Sequence, residues 1–171
     1  VELMPKSMSG YTYVEPFVGG GAVLFNLQPK NAIINDYNTD LINVYEVVKN
    51  NLNELIADLM THENDSDYFY RIRQVDRTET FNQMSKIQRA SRFIYLNKTC
   101  FNGLYRVNNA GEFNSPFGRY KNPNIVNEPV LKAVSHYLNS NNVKLTTGDY
   151  WDVLKDVDKK AFVYLDPPYH P

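Results

Sequence analysis

The order of apolar and polar positions predicts short strands near both ends of the chain. Four apolar or aromatic runs end at turn or polar residues, and they cover residues 11–17, 31–37, 142–150 and 161–169. Two of these runs lack a clean alternation of apolar and polar residues. This is typical of strands that are buried on both faces of a parallel sheet.

Helical patterns follow the first two predicted strands. The glycines of "GGGAVLFNLQ" lead into a short helical run. After the second strand, Asn38 or Thr39 can cap a helix with an apolar stripe from Leu41 to Val48, and residues 51–60 predict a further helix. This β-α-β-α order predicts the opening of a doubly wound, Rossmann-like α/β sheet.

Residues 61–141 interrupt this alternation. "KIQRASRFIYLNK" (residues 86–98) predicts a helix with a basic face. "FNGLYRVNNAGEFNSPFGRY" (residues 101–120) predicts a hairpin, with aromatic-rich arms on either side of a turn-forming Asn-Asn-Ala-Gly cluster. We therefore expect residues 61–141 to be a module inserted into one α/β domain, which is formed by residues 1–60 and 142–171.

Part of residues 61–141 also differs from the rest of the chain in its charge. The 171 residues suit one domain, and the net charge is only -1. From Lys86 to Lys121, however, the chain has seven basic residues and one acidic residue, a local charge of +6 that leaves -7 elsewhere. A basic module on an acidic body favours contact with a polyanion, and a solvated surface is the alternative interpretation.

The composition argues against disulfide-bonded, metal-binding and membrane-spanning classes of protein. Cys100 is the one cysteine, so no intrachain disulfide can form and a reducing, cytoplasmic setting is expected. The three histidines, His62, His136 and His170, lack the spacing of metal ligands, so we expect no metal site. No apolar run is long enough to cross a bilayer, and we expect no membrane association.

The stretch "EPFVGGGAV" (residues 15–23) predicts a cofactor site. A strand that runs into glycines and then a helix lets a ligand approach the backbone and the helix amides. Asp36 follows seventeen residues after Gly19, where a carboxylate can bind two ribose hydroxyls. Leu24 replaces the third glycine of a dinucleotide fingerprint, and no phosphate-loop Gly-Lys-Ser/Thr is present. The pattern favours an adenosine cofactor over NAD, although a turn without a ligand remains possible.

Two later strand ends add candidate chemistry. In "TTGDY", Asp149 could accept a hydrogen bond from an adenine amine, and Tyr150 could stack on the adenine ring. A simple turn without a ligand is the more common interpretation of this pattern. In "DPPY" (residues 166–169), the prolines fix φ and leave carbonyls free to accept hydrogen bonds. That loop can hold a planar amine, and a merely rigid loop is the alternative. The carboxyl ends of parallel strands line one crevice, so we expect these features to form one site.

The ordered motifs resemble those of a known family. "EPFVGGGAV", "INDYN", "FNGLYRVN", "GEFNSPFGRYKNP", "GDY" and "DPPY" are similar to motifs of the Dam-type DNA adenine-N6 methyltransferases, most closely the DpnII-type modification methylases. The resemblance covers essentially the whole chain, and the block around the hairpin is its most specific part. It implies a Rossmann-like, AdoMet-dependent methyltransferase sheet.

The resemblance also implies an activity and a set of site residues. Such enzymes transfer a methyl group from S-adenosyl-L-methionine to N6 of adenine in double-stranded DNA, commonly within GATC. Asp36 would bind the cofactor's ribose, Arg106 would read a guanine edge, and the "DPPY" loop would hold a flipped adenine. The implied cofactor residues are Glu15, Pro16, Phe17, Gly19, Gly21, Ala22, Asp36, Tyr37, Asp149, Tyr150 and Asp166. The implied catalytic residues are Asp166, Pro167, Pro168 and Tyr169. The implied DNA-binding residues are Arg89, Lys98, Phe101, Asn102, Leu104, Arg106, Asn114, Pro116, Arg119, Tyr120 and Lys121.

The chain also departs from the family pattern. Members begin with an earlier segment that carries a Lys-Trp-x-Gly-Gly-Lys-like motif, and they continue past "DPPY" with additional strands. We therefore expect a complete bacterial or phage enzyme that is monomeric, of which the 171 residues are a part without turnover of its own. The alternatives are a fragment that only binds nucleic acid, or a methyltransferase acting on RNA or on protein glutamine. With later strands missing, the apolar "AFVYL" strand would be an edge, and we expect self-association there.

Overall fold

The computed structural model of the protein describes residues 10–155 and 157–168. Four strands form one sheet in the order β3-β2-β1-β4, and every pairing is parallel. The strands are β1 (Thr12–Glu15), β2 (Asn31–Asp36), β3 (Asn142–Thr147) and β4 (Ala161–Val163). All four predicted strands are therefore present, although the last is much shorter than expected. The α/β class with a parallel sheet is confirmed and is consistent with a Rossmann-like methyltransferase.

The helices lie between the strands as the sequence pattern predicts. They are α1 (Ala22–Leu27), α2 (Thr39–Asn50), α3 (Leu52–Leu59), α4 (Ser66–Gln74), α5 (Glu79–Gln83), α6 (Lys86–Thr99), α7 (Glu128–Ser140) and α8 (Tyr150–Leu154), with 3-10 turns at Val75–Arg77 and Phe101–Gly103. Asn38 caps α2, because its side-chain oxygen accepts from the N–H groups of Asp40 and Leu41. Of the two predicted caps, the structure uses Asn38.

The main core lies between one face of the sheet and three helices. It contains side chains from three strands together with α1, α2 and α7: Tyr13, Ala32, Ile34, Val143, Leu24, Ile42, Tyr45, Tyr137 and Leu138. Alternate residues of each strand point to this face, and full burial of one such aliphatic side chain stabilises the fold by about 1.5–3 kcal/mol. This packing fixes the strand ends that carry the candidate cofactor residues.

Residues 61–141 pack against the helices and the sheet of the rest of the chain. Helix α6 contacts α2 and α3 through a second cluster of buried residues: Val47, Val48, Leu55, Leu59 and Ala90. Helix α7 lies within residues 61–141, yet its Tyr137 and Leu138 belong to the core beneath the sheet. The division of the chain at residues 61–141 therefore stays a proposal, with α7 serving the sheet as the crossover helix before β3.

The predicted hairpin (residues 101–120) is present, but its two arms are irregular. Its pairing consists of isolated antiparallel bridges, Val107 with Phe113 and, at its base, Cys100 with Phe117. Tyr105 stacks on Phe93 of α6 with ring centroids 4.4 Å apart, which attaches one arm to the helix. A two-stranded hairpin is at best marginally stable in water, so contacts of this kind decide whether it is ordered.

Helix α6 does not present a continuous basic face. Arg92 is only 7% exposed and pairs with Asp76, with 2.8 Å between Nη2 and Oδ2. Arg89 is half-buried, and its Nη2 donates to the Phe81 carbonyl at 2.9 Å. Lys98 is exposed. The predicted basic face is thus divided between structural arginines and two exposed lysines, Lys86 and Lys98, because the helix also packs against α4 and the 3-10 turn that follows it.

Candidate cofactor and nucleic-acid site

A buried amide joins three of the strand ends. The Asn35 side chain is 1% exposed, and its Nδ2 donates to the Pro16 carbonyl at 3.1 Å and to the Gly148 carbonyl at 3.0 Å. Its Oδ1 accepts from the Thr146 hydroxyl at 3.1 Å. Asn35 therefore holds the loops after β1 and β3 in a fixed relation to β2. Sequence reasoning missed this residue, although a polar residue at the end of an otherwise apolar strand was a visible signal.

Asp36 lies at the carboxyl end of β2, where the sequence predicts a ribose-binding carboxylate. Its Oδ2 accepts from the Gly19 N–H at 3.0 Å, and its Oδ1 accepts from the Asn38 N–H at 2.9 Å. A carboxylate offers about four lone-pair sites, so each oxygen can accept a further hydrogen bond. The side chain is part-exposed and held in one orientation. That arrangement is suited to a pair of hydroxyls.

The glycines of the turn after β1 have different roles. Gly21 has φ +71°, and a Cβ there would come within 2.6 Å of both Phe25 and the Tyr45 hydroxyl. Gly21 is therefore required by packing. A Cβ at Gly19 or Gly20 would meet nothing within 4 Å, so both glycines border open space that a ligand can enter.

Tyr45 supports the glycine turn from α2. Its hydroxyl donates to the Gly19 carbonyl at 3.0 Å, and burial raises the pKa of that hydroxyl well above its ordinary value. The hydroxyl therefore stays protonated at neutral pH and can donate this hydrogen bond. From the sequence pattern, Tyr45 is predicted only as part of the apolar stripe of α2, because a tyrosine at such a position is also consistent with simple packing.

Aromatic side chains line the edge between β1 and β3. Phe17 and Tyr150 have ring centroids 5.3 Å apart and planes inclined by 37°. Asp149 directly precedes Tyr150 and caps α8, with its Oδ1 accepting from the Trp151 N–H at 2.8 Å. The structure therefore brings together two predicted cofactor residues from distant parts of the sequence. Tyr37, by comparison, is 80% exposed beside Asp36.

A second buried acid lies at the end of β1. Glu15 is 3% exposed, and its Oε2 accepts from the Tyr13 hydroxyl at 2.9 Å. Burial raises the pKa of the Glu15 carboxyl above its ordinary value, and the negative charge of Asp166 acts in the same direction. β4 pairs in parallel with β1, so the loop after β4 lies beside the end of β1. Glu15 and the neighbouring Pro16 are both buried at the end of β1.

The proline loop follows directly from β4. The Tyr164 N–H donates to the Val14 carbonyl at 2.9 Å, so pairing with β1 continues just past the strand. Asp166, Pro167 and Pro168 are all exposed at the same edge of the sheet as Asp36. Tyr169, the last residue of the predicted catalytic loop, lies outside the described residues. The structure therefore brings the described part of this loop to the predicted edge.

The hairpin presents most of its candidate residues to solvent. Residues 113–117 alternate, so that Phe113 and Ser115 are 1% exposed while Asn114 and Pro116 are exposed. Across the hairpin, the Asn114 N–H donates to the Arg106 carbonyl at 2.9 Å. Every candidate DNA-binding residue except the half-buried Arg89 is exposed, namely Lys98, Phe101, Asn102, Leu104, Arg106, Asn114, Pro116, Arg119, Tyr120 and Lys121. These exposed residues define a hydrogen-bonding and basic surface.

The residues after the hairpin are anchored to the helical region. Asn64 Nδ2 donates to the carbonyl of Tyr120 at 2.8 Å and approaches that of Lys121 at 3.4 Å. Both side chains are exposed, although the Tyr120 ring also lies over Gly118.

Within the part of the chain that is described, no three acidic, histidine or cysteine side chains cluster in a way that could hold a metal ion. No helix among the same residues has the length and apolar character needed to cross a membrane.

Comparison with known proteins identifies the family. The family of D12 class N6 adenine-specific DNA methyltransferases matches residues 1–171. The chain belongs to this family. Family membership agrees with the resemblance that the sequence motifs indicate, and the site residues themselves are placed by the geometry above.

Individual relatives are similar over almost the whole chain. A type II methyltransferase of Lactococcus lactis subsp. cremoris, M1.LlaDCHI, is 44% identical over 99% of the chain and 60% of its own length. A type II methyltransferase of Methanocaldococcus jannaschii, M.MjaIII, is 48% identical over 93% of the chain and 58% of its own length. A DNA adenine methylase of Serratia marcescens is 39% identical over 95% of the chain and 59% of its own length. The chain thus spans about three-fifths of the length of these curated relatives.

Proposed function

We propose that the complete protein transfers a methyl group from S-adenosyl-L-methionine to N6 of adenine in double-stranded DNA, with GATC as the expected site. One observation carries the proposal. Asp36, the Phe17–Tyr150 pair and Asp166 converge at the carboxyl edge of one parallel sheet, in a chain of an adenine-specific methyltransferase family. Ligands of open α/β sheets bind at that edge.

The residues at the edge fit the cofactor. The fixed Asp36 carboxylate suits the two ribose hydroxyls, and the exposed faces of Phe17 and Tyr150 suit a purine ring. Open space beside Gly19 and Gly20 leaves room for the rest of the molecule. When bound, S-adenosyl-L-methionine supplies an electrophilic methyl group on a sulfonium. Gly21, Tyr45 and Asn35 would keep the turn in shape before the cofactor arrives.

The proline loop suits the target amine. The N6 amine of adenine is a poor nucleophile, because its lone pair is delocalised into the ring. Acceptors on both N–H bonds, the Asp166 carboxylate and the Pro167 carbonyl, favour a more tetrahedral nitrogen whose lone pair can point at the methyl group. Positioning and preorganised dipoles provide the remaining acceleration. We expect Tyr169 to stack on the flipped base.

The exposed hairpin suits the DNA. An adenine in a duplex must leave the base stack before its amine can react, and the edge of the sheet is open enough to receive it. The Arg106 guanidinium can donate to guanine O6 and N7, and Lys98, Arg119 and Lys121 can contact phosphates. This division between base reading and phosphate contact is typical of specific DNA-binding surfaces.

The decisive experiment uses the full-length protein with labelled S-adenosyl-L-methionine. We expect label on adenine N6 in a GATC duplex, and a loss of turnover of about 100-fold or more in Asp166→Ala, because an activating acceptor is missing. Asp158→Ala, a change of another exposed aspartate close to β4, is the matched control and should keep full activity. Absence of label from adenine N6 across GATC and randomised duplexes would refute the proposal.

The same assay separates the alternative substrates. An RNA or a glutamine-containing peptide that is labelled faster than any duplex would move the assignment to those classes. The 171-residue chain by itself tests the binding-only alternative, because we expect it to bind duplex DNA without turnover.

The outer strand β4 leads to an expectation about the oligomeric state. Within the described residues, β4 pairs with β1 and with no other strand. We expect the complete protein to be monomeric and the 171-residue chain to self-associate along β4. Light scattering over a range of concentrations checks both expectations, and a chain that stays monomeric at high concentration would contradict the second.

A further inference from the structure

Charged side chains hold the hairpin from behind. Asp76 and Arg77 lie in the 3-10 turn after α4, and we name these two residues the bracket. Neither contributes to the cofactor edge, and neither lies among the exposed hairpin residues expected to meet DNA. Their contacts instead converge on one buried residue of the hairpin, Phe113.

Asp76 holds the Phe113 N–H. Its Oδ2 accepts from Phe113 N at 2.8 Å and from Nη2 of the buried Arg92 at 2.8 Å. Its Oδ1 accepts from Arg77 Nη1 at 2.5 Å. The Asp76 side chain is only 9% exposed, so solvent screens these contacts weakly. Three donors therefore fix the carboxylate in one orientation.

Arg77 holds the carbonyl of the same residue. Its Nη2 donates to the Phe113 carbonyl at 2.8 Å, its Nε lies 3.3 Å from Glu112 Oε2, and its Nη1 also donates to the Arg73 carbonyl at 3.1 Å. Asp76 and Arg77 thus bind both backbone groups of Phe113. This is what a neighbouring strand would do in a sheet.

The hairpin needs these side chains in place of a third strand. Two strands without a third are marginally stable in water, and this hairpin has only isolated bridges. Phe113 is also the neighbour of Asn114, whose N–H donates to the Arg106 carbonyl at 2.9 Å. The bracket holds Phe113, Phe113 is followed by Asn114, and Asn114 is hydrogen-bonded to Arg106. The bracket is therefore connected to the backbone of Arg106 through one residue and one hydrogen bond.

We propose that Asp76 and Arg77 are positioning residues that set how sharply the hairpin discriminates between DNA sequences. The inference rests on the proposed action on duplex DNA. Phosphate contacts supply affinity without sequence information, whereas base contacts need a fixed geometry. Loosening the bracket should therefore lower discrimination and leave the general affinity for DNA unchanged.

The test is Arg77→Lys in the full-length protein. Lysine keeps the positive charge but loses the planar fork that spans Phe113, Glu112 and Asp76. Duplexes with a randomised site are selected by binding and sequenced, and the preference of the variant is compared with that of the natural protein. We expect discrimination to fall about fivefold or more at the positions read by the hairpin, with the slope of affinity against salt and the Kd for cofactor unchanged.

Arg71→Lys is the matched control. Arg71 is an exposed arginine of α4 whose guanidinium lies 5.1 Å from the centre of the Tyr68 ring, away from the hairpin, so its change should leave the preference unaltered. Asp76→Asn is a second variant, which keeps the shape but weakens the bond with Arg92. If thermal unfolding shows that Asp76→Asn is folded, its preference among DNA sequences should relax at the same positions.

Three outcomes with the variants would overturn the proposal. The preference could stay unchanged in both folded bracket variants, it could relax equally in Arg71→Lys, or binding could weaken equally for all duplexes. A natural protein that binds duplexes without any preference would also overturn it. Because selection is by binding, the result does not depend on methyl transfer, so failure of the proposed function is recognised separately by the absence of label on adenine N6.

Discussion

The cofactor edge of the sheet and the hairpin both expose functional side chains, but they are supported in different ways. At the edge, the support comes from backbone groups of adjacent strand ends and from two side chains, the Asn35 amide and the Tyr45 hydroxyl. The Asp36 carboxylate, for example, is oriented by N–H groups of its own strand end and of the neighbouring turn. The hairpin is instead held by side chains of helices and turns that are far away in the sequence, Asp76 and Arg77 above all.

The difference follows from the architecture of the two regions. Parallel strands place their carboxyl ends side by side, so the main chain alone brings ligand-binding loops together. A two-stranded hairpin has unpaired backbone groups on both outer sides, and these need partners from elsewhere. We therefore expect the edge to tolerate changes in the inserted region, and the hairpin to depend on charges that never meet the DNA.

Arg92→Ala should have the largest effect on stability. Removal of this buried guanidinium leaves Asp76 with Arg77 as its remaining charge partner and also removes the donations of Arg92 to the Ile72 and Arg73 carbonyls, which together costs about 3–5 kcal/mol. Urea unfolding of the full-length protein measures the loss. Lys86→Ala breaks an exposed pair with Glu46 and should cost less than about 1 kcal/mol. Similar losses for the two variants would show that the hairpin is not supported by its buried charges.

Exchange of the two neighbouring glycines by alanine should separate packing from ligand binding at the edge. Gly21→Ala combines a Cβ clash with a left-handed φ and should destabilise the protein by about 2–4 kcal/mol. Gly20→Ala meets open space, so the free energy of unfolding should change by less than about 0.5 kcal/mol. Thermal unfolding and calorimetric titration with S-adenosyl-L-methionine measure both properties. We expect Gly20→Ala to weaken cofactor binding despite its intact fold, and unchanged affinity would count against the placement of the cofactor.

Arg106→Ala should affect recognition and leave the edge intact. Loss of a bidentate guanine contact costs about 1–3 kcal/mol and relaxes the preference at that base. Lys121→Ala should weaken binding uniformly across sequences and lower the salt slope by about 1, because it removes a phosphate contact. Competition binding at several salt concentrations distinguishes the two patterns. If Arg106→Ala instead behaved like Lys121→Ala, its assignment as a base reader would be wrong.

The smallest expected effect is a pH dependence of the helical support behind the hairpin. The His62 ring lies 2.8 Å from the Tyr68 hydroxyl and 3.1 Å from the Ser91 hydroxyl. Burial lowers the pKa of His62 below its usual 6.5, although Asp58 opposes the change. The unfolded chain therefore binds the proton more readily, so His62 stabilises the fold fully above pH 6.5 and loses this contribution as the pH falls through the folded pKa.

Urea unfolding between pH 7.5 and 5.5 tests this expectation. We expect stability to decrease with falling pH by at most about 1.4 kcal/mol per pH unit from this residue. His62→Gln keeps a hydrogen-bonding side chain without titrating, and it should flatten the dependence. An equal slope in His62→Gln and the natural protein would assign the effect to other groups.

Much of the fold was predictable because its signals are local. The four strands, the Asn38 cap, the glycine turn and the position of Asp36 follow from periodicity, capping and turn chemistry within a few residues. The hairpin was predictable in its location, and its buried and exposed sides follow the two-residue period of an extended chain. The sequence motifs also indicated the family to which the chain belongs.

Partners distant in the sequence could not be predicted in this way. The burial of Arg92, the hold of Asp76 and Arg77 on Phe113, and the donation of Asn35 to two loops join residues between 16 and 113 positions apart. An arginine in a basic stretch is equally consistent with an exposed phosphate contact and with a buried ion pair. Only the packing of α4 and α6 against each other decides between these, because it determines which side chains lose water and must find a partner. The sequence by itself therefore determined the strand order along the chain and the chemistry at the strand ends. The tertiary structure decided which charges meet solvent and which hold the hairpin.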